Sequence, residues 1–220
     1  MADFITAESH ETRLRAAVSA AWAVFSRKVG GGLIPVNKEA SMQLQYAYIL
    51  QQILPLAAHD LTEHAEIELE TGVSIAGRSN EIDVLIKGRS GSSRYKIAVE
   101  MKCYRERTSS DKKRGAQDIF MKDVYDDLAI LEQYVKQGAA DHAVALVMTD
   151  HERFVNPRKR KHDAKCWDYN IANGTIAAPG EFNTPIGGKA VSFTLEKSYS
   201  FRWTQFGNFW FMELEGQTLP

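Results

Sequence analysis

The sequence predicts an α/β fold: a mixed central β-sheet flanked by helices, with a C-terminal antiparallel β appendage. Three observations carry that prediction. Residues 64–75, 81–87 and 94–104 alternate apolar and polar positions and are rich in β-branched side chains, the period-2 signature of strands. Residues 116–137 carry apolar side chains at helical spacing, and residues 142–149 (HAVALVMT) are an unbroken apolar run suited to a strand covered on both faces. A strand, a helix and a strand in succession give a parallel, right-handed pair.

Taken in order, residues 6–29 read as an amphipathic helix with Leu14, Ala17, Val18, Ala21, Val24 and Phe25 on one stripe. Gly30-Gly31-Gly32 ends it, because three glycines lose too much backbone entropy inside a helix. A second helix runs from about Asn37, a suitable N-cap, to Leu54, with Pro55 as its stop. After the three strands, the helix over 116–137 presents Phe120, Val124, Leu128, Leu131 and Val135 on one face, with Gly138 past its end. The stretch 150–190 holds Pro157, Pro179, Pro185 and several glycines and reads as irregular. Residues 198–206 and 209–215 then form a hairpin turning at Gly207-Asn208. With no repeat or linker, residues 1–220 read as one domain: an N-terminal helix (1–36), a core (37–149), and an irregular segment with a β hairpin (150–220).

Composition narrows the function classes. The 220 residues are 44% hydrophobic and 25% charged with net charge −1, values that exclude disorder, collagen-like repeats and coiled coil. Near-neutral charge excludes a generally basic nucleic-acid coat, so any polyanion site is a local patch. Cys103 and Cys166 form no C-x-x-C pair, which suits a reducing compartment. No run approaches membrane-spanning length and no leader pattern opens the sequence, so a cytoplasmic protein with no membrane partner is expected. His59, His64, His151 and His162 make no H-x-x-x-H pair, which argues against zinc.

The chemistry concentrates in residues 81–104. Taken as a hairpin turning at Ser90-Gly91-Ser92-Ser93, they put Ile82, Val84 and Ile86 opposite Met101, Val99 and Ile97 on one apolar face. The other face then sets Glu81 against Lys102 and Asp83 against Glu100. Like charges facing across a strand pair are destabilising. A divalent cation between the two carboxylates relieves the repulsion, and Mg²⁺ favours a few carboxylates, waters and a phosphate oxygen. Lys102 beside it orients or deprotonates an attacking water, or offsets charge on the phosphoryl oxygens. A strand face whose charges meet only water would carry the same residues.

Asp83…Glu100-Met101-Lys102, within a helix–strand–strand–strand–helix–strand order over roughly 37–149, resembles the PD-(D/E)XK nuclease superfamily. The residue before Asp83 is Ile82 where that pattern has proline. The resemblance implies a restriction-endonuclease-like αβββαβ core. It implies Mg²⁺, or Mn²⁺, held by Asp83, Glu100 and the Met101 carbonyl, with Lys102 assisting water attack to leave a 5′-phosphate. It further implies that Glu39, on the helix before the sheet, assists the metal, and that Gln117, opening the helix after the motif, helps the site. Gln43 lies one turn on from Glu39, on the same face.

Two basic clusters follow motif-bearing strands: residues 105–114, with Lys112, Lys113 and Arg114, and residues 153–165, with Arg158, Lys159 and Arg160. They are candidate contacts to a nucleic-acid backbone. Glu66, Glu68 and Glu70 alternate along one strand and read as a wet face. The aromatic tail (Phe193, Tyr199, Phe201, Trp203, Phe206, Phe209, Trp210, Phe211) closes a core or a dimer interface rather than stacking on bases. The expected activity is Mg²⁺-dependent endonucleolytic hydrolysis of nucleic acid, with DNA as the substrate and a homodimer as one assembly. The alternative is a non-catalytic nucleic-acid- or partner-binding module of the same fold.

Overall fold

The computed structural model describes residues 6–107, 112–157 and 165–218. Its elements in chain order are α1 (His10–Gly30), α2 (Glu39–Ile53), β1 (Glu63–Ile75), β2 (Arg78–Ser90), β3 (Ser93–Tyr104), α3 (Gln117–Lys136), β4 (His142–Thr149), α4 (Glu152–Val155), β5 (Ile176–Ala177), β6 (Gly180–Phe182), β7 (Phe193–Leu195), β8 (Tyr199–Ser200), β9 (Thr204–Phe206) and β10 (Phe209–Leu214). Six strands form a mixed sheet in the order β1-β2-β3-β4-β10-β9. Only β3 and β4 run parallel, as the α3 crossover requires. The hairpin turn sits where the sequence places it, with Ser90 opposite Ser93. None of the helices is long and apolar enough to cross a membrane, among the described residues.

Two apolar layers sandwich the sheet. On one face α1 and α2 bury Leu14, Phe25, Met42 and Leu50 against Val84, Val99 and Leu146. On the other, α3 buries Phe120, Val124 and Leu128 against Leu85, Ala98 and Val147. The Ser9 hydroxyl caps α1 by accepting from Thr12 N at 3.1 Å. Trp22, 5% exposed, completes its stripe, whereas Val24 is 37% exposed. In α2 the cap shifts inward from Asn37. The Ser41 hydroxyl accepts from the Asn37 and Lys38 amides at 3.1 and 3.2 Å, so the helix starts at Glu39. Pro55 does stop it, inside a one-turn 3₁₀ segment over Leu54–Ala57.

The C-terminal hairpin is not an appendage. Its strand β10 pairs antiparallel with β4, so the hairpin extends the central sheet. Residues 199–200 pair with β5 instead of continuing the hairpin. The reason is apolar: Tyr199, Phe201, Trp203 and Phe211 are all buried, so the aromatic tail is core. The turn also closes on α1. A Cβ on Gly30 would lie 2.4 Å from the Phe206 Cβ, and one on Gly207 would lie 2.2 Å from the Gly30 carbonyl oxygen. Gly207 also has φ +57°, so glycine is required there twice over.

A second close approach yields a test. A Cβ on Gly88 would meet the Tyr95 ring at 2.0 Å and a Leu14 methyl at 2.8 Å. Tyr95 is pinned, because its hydroxyl bonds the buried His10 imidazole. Gly88→Ala is therefore expected to cost about 1–3 kcal/mol through overpacking, read as a lower urea midpoint with an unchanged slope.

Candidate active site

The β2–β3 ladder keeps the register expected from the sequence from Ser90↔Ser93 to Val84↔Val99 and stops there. Asp83 and Glu100 are the first residues past the last pair. Beyond this point the strands part, and the Asp83 carboxylate bridges the gap, accepting from Met101 N at 2.6 Å. The opposite neighbour is irregular at the same level. Glu70 of β1 is left-handed (φ 51°), and the β1–β2 register passes over Glu70 and Asp83. Gln43 of α2, 7% exposed, holds the break: its amide donates to Glu70 Oε1 at 2.7 Å and to the Asp83 carbonyl at 2.6 Å.

The break overturns three details of the expected hairpin, the first being the direct pairing of Asp83 with Glu100, which the ladder does not reach. Ile82 packs in the α3 layer, whereas Val84, Ile86, Ile97, Val99 and Met101 pack under α1 and α2. Regular alternation fails once the ladder ends. Glu81 does not pair with Lys102 either. With its strand neighbour drawn away, the Lys102 ammonium lies 3.3 Å from Asp127 of α3 and 3.6 Å from Glu39 of α2. Glu39 also accepts from Cys103 N at 3.2 Å. Glu100, 7% exposed, accepts from the Tyr134 hydroxyl of α3 at 3.1 Å.

Asp127 is the site residue that sequence reading missed. The signal was available: Asp127 lies three residues from Val124, four from Leu131 and seven from Tyr134, so a charge occupies the stripe facing the sheet.

The electrostatics follow from crowding. Burial pushes the Asp83 carboxyl up to about 6, against the Met101 amide, with Glu39 and Glu70 adding to the rise. Burial, then the charges of Asp127 and Asp83, hold Glu100 well above the usual carboxylate range. Asp127 is raised to about 8 by burial, which the neighbouring Lys102 opposes and Glu39 and Asp83 reinforce. For Lys102, burial favours the neutral amine, but Asp127, Glu39 and Asp83 outweigh it and keep the ammonium protonated. Four carboxyl groups thus crowd one ammonium, and hard oxygen donors of this kind could hold a divalent ion such as Mg²⁺, whose charge would favour their ionised form. They are linked in pairs: among the described residues no three Asp, Glu, His or Cys side chains form a ready-made metal cage.

The remaining sequence candidates fall around this centre. Gln117 opens α3 beside the Tyr104 hydroxyl, which donates to the Arg114 and Gly115 carbonyls at 3.1 and 3.4 Å, two residues beyond Lys102 on β3. Lys112 and Lys113 are exposed, and the Lys113 backbone forms an isolated antiparallel β-bridge with Arg107. The Arg114 guanidinium donates to the Asn37 carbonyl at 3.4 Å, two residues before Glu39. Arg105 has a structural task, pairing with Asp150 at 2.7 Å and lying 4.9 Å over the Phe209 ring. Arg158, Lys159 and Arg160 lie outside the described residues. Glu68 pairs with Lys87 on the sheet face.

Compared with family models, curated proteins and solved structures, the chain matches none.

Proposed function

We propose that this protein is a Mg²⁺-dependent nuclease of the PD-(D/E)XK type, hydrolysing phosphodiester bonds of DNA on a restriction-endonuclease-like core. One observation carries the reading: the parting of β2 from β3 gathers Asp83, Glu100 and Lys102, with Glu39 reaching in from α2. Asp83, Glu100 and the Met101 carbonyl would hold the ion, with Glu39 assisting, and Mn²⁺ could replace Mg²⁺. The ion supplies Lewis acidity toward a phosphoryl oxygen.

The protein's own groups do the rest. Asp127, Glu39 and Asp83 favour the Lys102 ammonium, which suits it to act as a positive donor toward charge developing on the phosphoryl oxygens. Asp127 and Glu39 aim it. Tyr134 fixes the Glu100 carboxylate through its hydroxyl. Gln117 supports the α3 end of the site, and Lys112, Lys113 and Arg114 offer cations to the flanking backbone. A homodimer would present one site to each strand of a duplex.

The test is incubation of the purified chain with supercoiled plasmid, linear duplex, single-stranded and branched DNA, and RNA, in Mg²⁺, Mn²⁺ or EDTA. Metal-dependent cutting that leaves ligatable 5′-phosphate ends is expected. If no substrate is cut with either metal, catalysis is excluded and the non-catalytic binding module of the same fold takes its place.

A further inference from the structure

The β1–β3 end of the sheet extends past α3, and its face on that side forms a shallow groove of about 490 Å³ beside the hairpin tip. His64, Glu66, Lys87, Arg89, Arg94 and Lys96 line it. The registers arrange them in two rungs across three strands. His64 stands opposite Arg89, which stands opposite Arg94; Glu66 stands opposite Lys87, which stands opposite Lys96. Neighbouring strands lie about 4.8 Å apart, so each rung is about 10 Å long.

Two like-charged pairs therefore sit directly across β2 and β3, Lys87 with Lys96 and Arg89 with Arg94. Such pairs oppose sheet formation. Glu68 answers Lys87. Arg89 and Arg94 are exposed, and neither guanidinium has a carboxylate or a hydrogen-bond partner among the described residues. A cationic rung kept without an internal counter-charge, in a protein of net charge −1, is complementary to an external polyanion. The lining carries no large exposed apolar side chain, so it lacks what a lipid surface would bury.

We infer that this groove docks the phosphate backbone of nucleic acid, through Arg89 and Arg94, with Lys96 and His64 flanking. The identity of the polyanion rests on the nuclease reading. Glu100 lies six positions along β3 from Arg94, about 20 Å of extended chain. The groove is thus a contact remote from the bond being cut.

The experiment measures binding of a labelled DNA duplex by fluorescence anisotropy in EDTA, over a salt series, for the full chain and two variants. Arg89→Ala/Arg94→Ala is expected to weaken binding about tenfold at moderate salt and to lower the slope of log K against log salt by about 2, one unit per lost phosphate contact. Its thermal midpoint stays equal or rises, because a repulsive pair has gone, which excludes unfolding as the cause. Glu66→Gln is expected to tighten binding about threefold, as removal of one repelling charge. Unchanged affinity and slope in both variants would overturn the inference. So would duplex binding that survives while binding to vesicles of phosphatidylserine and phosphatidylcholine (1:3) is lost. Wild-type protein that binds through these arginines without cutting refutes the nuclease reading alone. Wild-type protein that cuts, with binding indifferent to both variants, refutes this inference alone.

Discussion

Asp83→Asn is expected to abolish Mg²⁺-dependent cleavage and, in metal-free buffer at pH 8, to make the protein more stable. Asparagine keeps an oxygen that accepts from Met101 N, so the splayed strands stay bridged. What disappears is a buried negative charge beside Glu39 and Glu70. The folded-state value of about 6 lies above the ordinary 3.8, so folding favours the protonated acid. That contribution is fully present below the lower value and is lost as pH rises through the upper one. Two units correspond to about 3 kcal/mol. Wild type and variant should therefore have similar stability in acid and diverge between about pH 4 and 6, the variant reaching an advantage of up to about 3 kcal/mol. Cleavage should fall by about 10³-fold or more, since an ion ligand that serves the transition state is worth several kcal/mol. Urea denaturation across pH, together with plasmid cleavage, reads both halves. A variant that cuts as well as wild type refutes the assignment of Asp83. One that is less stable than wild type at pH 8 refutes the electrostatic account.

Lys102→Met should act in the opposite direction. Its methylenes are replaced, but the ammonium between Asp127 and Glu39 is gone. Breaking a buried pair by removing one partner leaves an uncompensated charge and costs about 3–5 kcal/mol. Asp127 is already raised to about 8 with its cation present and titrates higher without it. The loss should therefore be largest above neutrality and shrink toward pH 5, where Asp127 takes up a proton. Adding Asp127→Asn should restore most of the stability and none of the cleavage. That pattern separates the cation's role in holding α3 from its role toward substrate. Additive effects of the two substitutions in a double-mutant cycle would deny the Lys102–Asp127 interaction.

The parts of the fold legible in the sequence are those set by local periodicity and turn chemistry. The serine–glycine tip fixed the β2–β3 register as far as Val84↔Val99, and the apolar run at 142–149 matched β4 residue for residue. The bringing together of Asp83, Glu100, Lys102 and Glu39 was also foreseeable, because element order brings them to one end of the sheet. The break at Asp83 was not. It depends on a left-handed Glu70 and on a buried Gln43 from another element, contacts that no window of sequence contains. The partner of Lys102 was misread for the same reason: ideal pairing was carried past the point where the ladder ends. The terminal hairpin looked detachable because its turn is local, whereas its docking on β4 is set by tertiary burial of Phe211 and Met212.

The glycine-on-glycine seat between α1 and the β9–β10 turn joins segments made far apart in time. Trp22 and Phe25 rest 5.6 and 6.4 Å from the Phe211 ring, and nothing earlier in the chain supplies that neighbour. During translation Tyr46 of α2 reaches both rings early, at 6.1 and 6.3 Å, but their Phe211 side stays uncovered while roughly 180 residues follow α1, at about 5–20 per second. Non-local closure of this kind slows folding. For some ten seconds or more the nascent polypeptide carries α1 without its last aromatic neighbour, an exposed apolar side of the kind that chaperones shield.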